Sequence, residues 1–226
     1  MIAQKELREY LESLESGNEF RQIRLIAVLS AAIAVGTNDL TTTVLSHLKK
    51  IGIADDVIYE AVLQSYLFLG FPRMIEAALA FNEVFGDRGN GDDIERISAQ
   101  EAENWFRRGG ELCRRIYGKN YERLKARFLS ISPEMFRWMV LEGYGKVLSR
   151  PGLSQIEREL AEVAALIVDG RERQLVSHVM GSINVGAPLF LIRQVNVDIM
   201  PLAGADKHAR AEKIIDRIEK KYASRS

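Results

Sequence analysis

Cysteine is almost missing from this chain: Cys113 is the single thiol in 226 residues. No intrachain disulfide can form, and a lone thiol fits a reducing compartment. Net charge is missing as well, because 31 acidic and 31 basic side chains cancel. Such a balance gives no overall field to steer nucleic acid or an acidic lipid surface, so neither is expected as a partner. Long apolar runs are also lacking. The longest, from Leu25 to Gly36, is too short to span a bilayer and follows charged residues. The first 24 residues mix both signs of charge instead of joining a basic start to an apolar run, so no signal peptide is read there. Only three histidines occur, with no His-x-x-Glu or Cys/His cluster, so no structural or catalytic metal is expected. These absences predict a cytoplasmic protein with no membrane partner.

Helical patterning is abundant. Hydrophobic residues make up 47% of the chain, enough for a real core. Apolar residues recur with the helical period almost throughout, and no alternating strand pattern stands out. The expectation is an all-α fold, with helices near 3–15, 19–35, 38–50, 55–69, 73–85, 99–117, 119–129, 133–148, 154–168, 172–184, 188–199 and 206–223. Ser98-Ala-Gln-Glu101 and Ser154-Gln-Ile-Glu157 read as capping boxes at two of the starts. The run Gly86-Asp-Arg-Gly-Asn-Gly-Asp-Asp93 is the clearest linker. It divides the chain into an expected first domain at 1–85, a linker at 86–97, and a second domain at 98–226 that opens with a helical lead-in.

The two halves repeat each other. An ungapped shift of 134 positions lays Arg24 on Arg158, Gly36 on Gly170, Gly52 on Gly186 and Gly70 on Gly204. Ala27, Ala31, Ile33 and Ile58 fall on Ala161, Ala165, Ile167 and Ile192. A duplicated helical unit is expected, with residues 20–85 and 154–215 packed as a pseudo-twofold bundle. The informative positions are those that differ. Glu159 stands opposite Leu25, and His178 opposite Val44. Positions apolar in one copy face inward in both, so a carboxylate and an imidazole there are candidates for chemistry.

On the helix after Ser154, residues Ile156, Leu160, Val163, Ala164 and Ile167 form the core stripe, and Glu159 sits at its margin. Partial desolvation there raises a carboxyl pKa and suits the group to proton transfer. Arg158, Glu162 and Asp169 are expected on the opposite, solvated side. The next helix places Arg171, Gln174 and His178 on one face by steps of three and four residues. Arginine and glutamine beside a His/Glu pair suit a bound carboxylate and a moving proton. The plainer alternative is a His178–Glu159 hydrogen bond inside an ordinary core.

These residues resemble the carboxymuconolactone decarboxylase family, whose fold is that of alkylhydroperoxidase D. Tyr144-Gly-Lys-Val-Leu-Ser-Arg-Pro-Gly-Leu153 is similar to the family's Trp-Gly-x-x-Trp-Ser-Arg-Pro-Gly-Leu segment. Gln174-Leu-Val-Ser-His178 and the later Gly186 match its Leu-x-x-His and following glycine. Gly52-Ile-Ala-Asp-Asp-Val-Ile-Tyr-Glu60 and Tyr66-Leu-Phe-Leu-Gly-Phe-Pro72 resemble its later motif. The peroxidase branch carries a Cys-x-x-Cys that would fall on Arg171 and Gln174, so its nucleophile is absent here. In the second copy Gln194, Met200 and Asp206 replace Glu60, Tyr66 and Pro72.

The resemblance implies cofactor-independent chemistry with His178 as the general acid/base, and oligomers as the working state. Joined to the residue reading, it makes His178 and Glu159 the catalytic candidates, and Arg171, Gln174, Arg158 and Arg150 the substrate-binding ones. The substrate class is a small carboxylated or lactone-like molecule. A non-catalytic helical homo-oligomer is the alternative, and a thiol peroxidase relying on Cys113 ranks last. Phe68, Phe71, Phe81 and Phe85 are the expected apolar surplus for self-association. His47 is expected on a helix surface, His208 in solvent, Cys113 in packing, and Trp105 and Trp138 as core or interface anchors.

Overall fold

The computed structural model of the chain describes residues 2–15, 20–88 and 97–223. Every regular element among the described residues is helical. In order these are α1 (Gln4–Leu14), α2 (Arg21–Val35), α3 (Asn38–Lys50), α4 (Asp55–Gln64), α5 (Tyr66–Phe85), α6 (Ala99–Tyr117), a 3-10 turn (Gly118–Asn120), α7 (Tyr121–Ile131), α8 (Pro133–Trp138), a π-helical segment (Met139–Leu148), α9 (Gln155–Asp169), α10 (Glu172–Asn184), α11 (Leu189–Asp198), α12 (Met200–Ala203) and α13 (Ala205–Ala223). The all-α expectation therefore holds. No helix among the described residues is long and apolar enough to cross a membrane.

Two compact units form, and they correct the expected boundary at 98. Met1–Gly86 and Gly152–Ser226 make one unit, and Asp87–Pro151 makes the other. The lead-in is thus a separate body, and the last part of the chain belongs with the first. Most of the expected linker, residues 89–96, lies outside the described residues.

The larger unit is built around α2 and α9, which pack on each other. Every residue of α2 from Arg24 to Ala34 is buried, and so is every residue of α9 from Glu157 to Val168. A helix covered on all sides has no wet face, which overturns the expectation that Arg158 and Glu162 are solvated. Ser154 starts α9 as a full capping box, accepting from the Glu157 N–H at 3.2 Å while Glu157 accepts from the Ser154 N–H at 2.7 Å. Gly170 ends it in the left-handed region (φ 74°), as Gly36 ends α2 (φ 78°), where a side chain would be strained.

Helix bounds recur at the offset read from the sequence. Arg21–Val35 is matched by Gln155–Asp169, Asn38–Lys50 by Glu172–Asn184, and Asp55–Gln64 by Leu189–Asp198. The kink at Gly70 (φ 79°, ψ 165°) is matched by the break at Gly204 (φ 83°, ψ 157°) between α12 and α13.

Two buried arginines reach across in reciprocal fashion. Arg24 of α2 donates to Asp198 of α11 through Nε at 2.6 Å and Nη2 at 2.8 Å. Arg158 of α9, at the matching position, donates to Glu60 at 2.8 Å and Gln64 at 3.0 Å on α4. Positions 60 and 64 carry an acid then an amide, whereas the matching 194 and 198 carry an amide then an acid. Gln194 completes its side by donating to Asp198 at 2.8 Å. Each arginine is thereby neutralised and bonded, which a buried guanidinium requires.

The smaller unit contains α6 to α8 and the π-helical segment. Gly109 and Gly145 let α6 and that segment approach backbone to backbone. A Cβ on Gly109 would lie 1.9 Å from the Val140 carbonyl oxygen, and one on Gly145 2.0 Å from that of Trp105. The helix expected at 133–148 is α-helical to Trp138 and π-helical beyond it. Cys113 is fully buried in α6, and burial pushes its thiol up to about 12, which suits packing rather than nucleophilic work. Trp138 is exposed, not a core anchor.

Candidate functional site

Glu159 and Glu162 sit one turn apart on α9, so their side chains leave the helix on one side. The Gly170 turn sends α10 back along α9, and the two helices pack together. Residues next to that turn stay near solvent, while those two turns further in are covered. His178 lies at the deeper level. Its Nδ1 is 3.1 Å from Glu159 Oε2 and 2.7 Å from Glu162 Oε2. Glu159 and Glu162 are each 1% exposed, and His178 7%. The Phe68 ring of α5 closes one flank in an edge-on contact at 5.2 Å between centroids.

One Nδ1–H cannot serve two carboxylates equally. It stands between them, 3.1 Å from Glu159 and 2.7 Å from Glu162, so the two carboxylates share one donor. Electrostatics follow from this crowding. Burial, then the neighbouring Glu159 charge, raises the Glu162 carboxyl to about 7. Burial alone would lower the His178 imidazole. The Glu162 and Glu159 carboxylates outweigh it and raise the ring to about 10. Glu162 and His178 therefore titrate together.

The structure thus brings His178 and Glu159 within hydrogen-bond reach, and it adds Glu162, which the sequence reading had put on a wet face. The signal for Glu162 was in the repeat: it stands opposite Val28, which is fully buried. The three also form a juxtaposition of metal-ligating side chains that no sequence spacing announces. One ligand atom from each of Glu159, Glu162 and His178 lies within 4.8 Å of the others.

The substrate-binding candidates are not gathered here. Arg158 is buried and held by Glu60 and Gln64, so it is a structural group and not an anion clamp. Arg171 stands at the exposed start of α10, with its side chain 62% exposed and its Nε 2.6 Å from Asp169. Gln174 is exposed one turn later. The face stepping from Arg171 through Gln174 to His178 is continuous along the helix, but its burial is not, because the first turn projects at the Gly170 corner. Arg150 belongs to the smaller unit and is exposed. A cavity of about 450 Å³ opens by that corner, lined by Leu166, Gly170, Leu175, Gly204, Lys207 and Arg210 among others, but not by Glu159 or His178.

The other histidines also differ from expectation. His47 is buried with Nε2 3.3 Å from Glu15, and burial lowers its pKa. His208 is half-buried, its Nδ1 3.2 Å from the Asn196 carbonyl oxygen.

No protein-family model matches the chain, and no curated protein matches it either.

Proposed function

We propose that this chain is an acid–base enzyme of the carboxymuconolactone decarboxylase type, built on two tandem copies of one helical unit, that transfers a proton on a small carboxylated or lactone-like molecule. One observation carries the reading: a buried His178 bonded through Nδ1 to Glu159. In this reading Glu159 orients the ring and balances its charge, and His178 exchanges the proton with substrate through Nε2, which makes no hydrogen bond among the described residues. Glu162 is the second carboxylate that keeps the ring charged. The step needs no cofactor. Arg158, Arg171, Gln174 and Arg150 hold no substrate in this account.

The test is turnover of a panel of carboxylactones, read as product and as solvent-deuterium incorporation. Wild-type protein should turn over at least one, and His178→Gln should lose activity by about 10² or more with unchanged circular dichroism. Equal activity in His178→Gln would end the reading.

A second reading, a helical homo-oligomer that serves as an assembly module, is favoured by a different observation. Phe71, Ile75 and Leu79 form an exposed apolar stripe on α5. Phe81 and Phe85 do not belong to it, because they stack on each other at 4.4 Å between centroids, with Phe81 buried. Sedimentation of Ile75→Lys decides the matter: a shift from oligomer to the 25.5 kDa monomer supports the assembly, and a monomeric wild type refutes it.

A further inference from the structure

We propose that Glu159, Glu162 and His178 form a binding site for a divalent transition-metal ion, and that the ion and the transferable proton are alternative occupants of the same centre. The binding stands on its own geometry. The inhibition that follows from it rests on the proton-transfer reading above.

Four observations converge. The donors are already assembled: Nδ1 lies 3.1 Å from one carboxylate oxygen and 2.7 Å from the other. Neighbouring donors around an ion that holds them at about 2.1 Å stand roughly 3.0–3.4 Å apart, and all three ligand atoms here already lie within 4.8 Å of one another, so rotation of the carboxylates brings them to that spacing. Second, the Glu162 carboxylate is 1% exposed and, among the described residues, meets only the Nδ1 that Glu159 also approaches, so most of its acceptor capacity is buried and unspent inside the cluster. Third, two carboxylates and a neutral imidazole sum to a formal charge of −2, which one dication cancels without any other counter-charge. Fourth, the matching positions in the first copy are Leu25, Val28 and Val44, all fully buried, so the helical frame does not need polar groups there.

The donor set selects the class of ion. One imidazole nitrogen with two carboxylates suits Zn²⁺, Fe²⁺, Mn²⁺ or Co²⁺, whereas Ca²⁺ and Mg²⁺ favour oxygen-rich shells. Three protein ligands leave at least one coordination position open. When the ion enters, the Nδ1 proton and any carboxyl proton pass to solvent, and the ring is held as the Nε2–H tautomer, which has no lone pair at Nε2 to accept a proton and would become an imidazolate on giving one up. A loaded centre cannot perform the acid–base step.

The experiment uses the full-length untagged chain, stripped with chelator and dialysed, and titrated with Co²⁺ and Zn²⁺. Calorimetry should show one site per chain with a Kd of about 10 µM or tighter, and Co²⁺ should give d–d absorption bands. Glu162→Gln and His178→Gln should each weaken Zn²⁺ binding at least tenfold, while His208→Gln leaves it unchanged. Should one of the first pair fail to fold, Glu159→Gln supplies the same comparison. Absence of saturable binding in the wild type up to about 1 mM would overturn the proposal. So would an affinity unchanged in the folded centre variants. Carboxylactone turnover by the chelator-stripped protein is read separately. Its loss without loss of Zn²⁺ binding would sink the proton-transfer reading and leave the ion site standing.

Discussion

The two halves of the larger unit place the same helices at the same spacing, yet one buries Leu25, Val28 and Val44 where the other buries Glu159, Glu162 and His178. The apolar trio fills its space with no bonding requirement. The polar trio must keep two carboxylates and an imidazole mutually compensated in a site shut off from water. Both fillings occur at matching positions of one unit, which makes their exchange the natural experiment. What both halves share is the crossed arginine: Arg24 on Asp198 in one direction, Arg158 on Glu60 and Gln64 in the other.

Breaking the shared element should cost most. Arg158→Met strips the guanidinium from Glu60 and Gln64 and should destabilise the protein by about 3–5 kcal/mol in urea unfolding. Arg24→Met should cost about as much, since the Arg24 side chain is 10% exposed against 1% for Arg158, but the carboxylate it would strand, Asp198, is 1% exposed against 7% for Glu60. Equal and negligible losses would show that the crossed pairs do not lock the halves.

Exchanging one filling for the other sharpens the contrast. His178→Val alone leaves two buried carboxylates without a cation and should cost about 3 kcal/mol. Adding Glu159→Leu and Glu162→Val reproduces the apolar trio and should restore stability to the wild-type level or above, with activity gone. A triple variant less stable than the single one would mean that the polar trio holds the fold.

The same pair of proteins should diverge with pH. Glu162 moves from an unfolded value near 4.5 to about 7 when folded, and His178 from 6.5 to about 10. Both folded values are raised, so the folded state binds more protons than the unfolded one. The wild type should therefore lose stability relative to the triple variant as pH rises through 4.5 to 7, and again from 6.5 towards 10. The Glu162 part is on the order of 3 kcal/mol. Unfolding midpoints of the two proteins that run parallel across that range would contradict the coupling. Smallest of all, Arg171→Ala and Gln174→Ala should change stability by no more than about 0.5 kcal/mol, since both side chains sit in solvent and an exposed ion pair contributes little.

Much of this architecture was legible beforehand. The helices at 38–50, 99–117 and 172–184 were read at their observed bounds, because each is framed by a clear start signal or a glycine stop. The π-helical widening after Trp138 and the short α12 were not, since neither changes the apolar rhythm. The His178–Glu159 contact was legible because the first copy reported those positions as inward. Arg158 and Glu162 were misplaced for a related reason. A one-faced helix was assumed for α9, although the matching stretch of the first copy, Leu25 to Ala34, is apolar on every side except Ser30. A helix apolar all round is covered all round, so the polar residues of its counterpart had to be buried and paired. The grouping of 152–226 with the first 86 residues follows from the same fact, because α9 needs α2 as its neighbour.

The most direct test of a coupled centre is the titration of His178 itself, followed by NMR on histidine-labelled, metal-free protein, with His47 and His208 assigned by substitution. The account predicts that the His178 ring stays protonated far above its ordinary range, towards about 10, and that Glu162→Gln moves its titration down by a unit or more. A His178 that titrates near 6.5 and is indifferent to Glu162→Gln would contradict it.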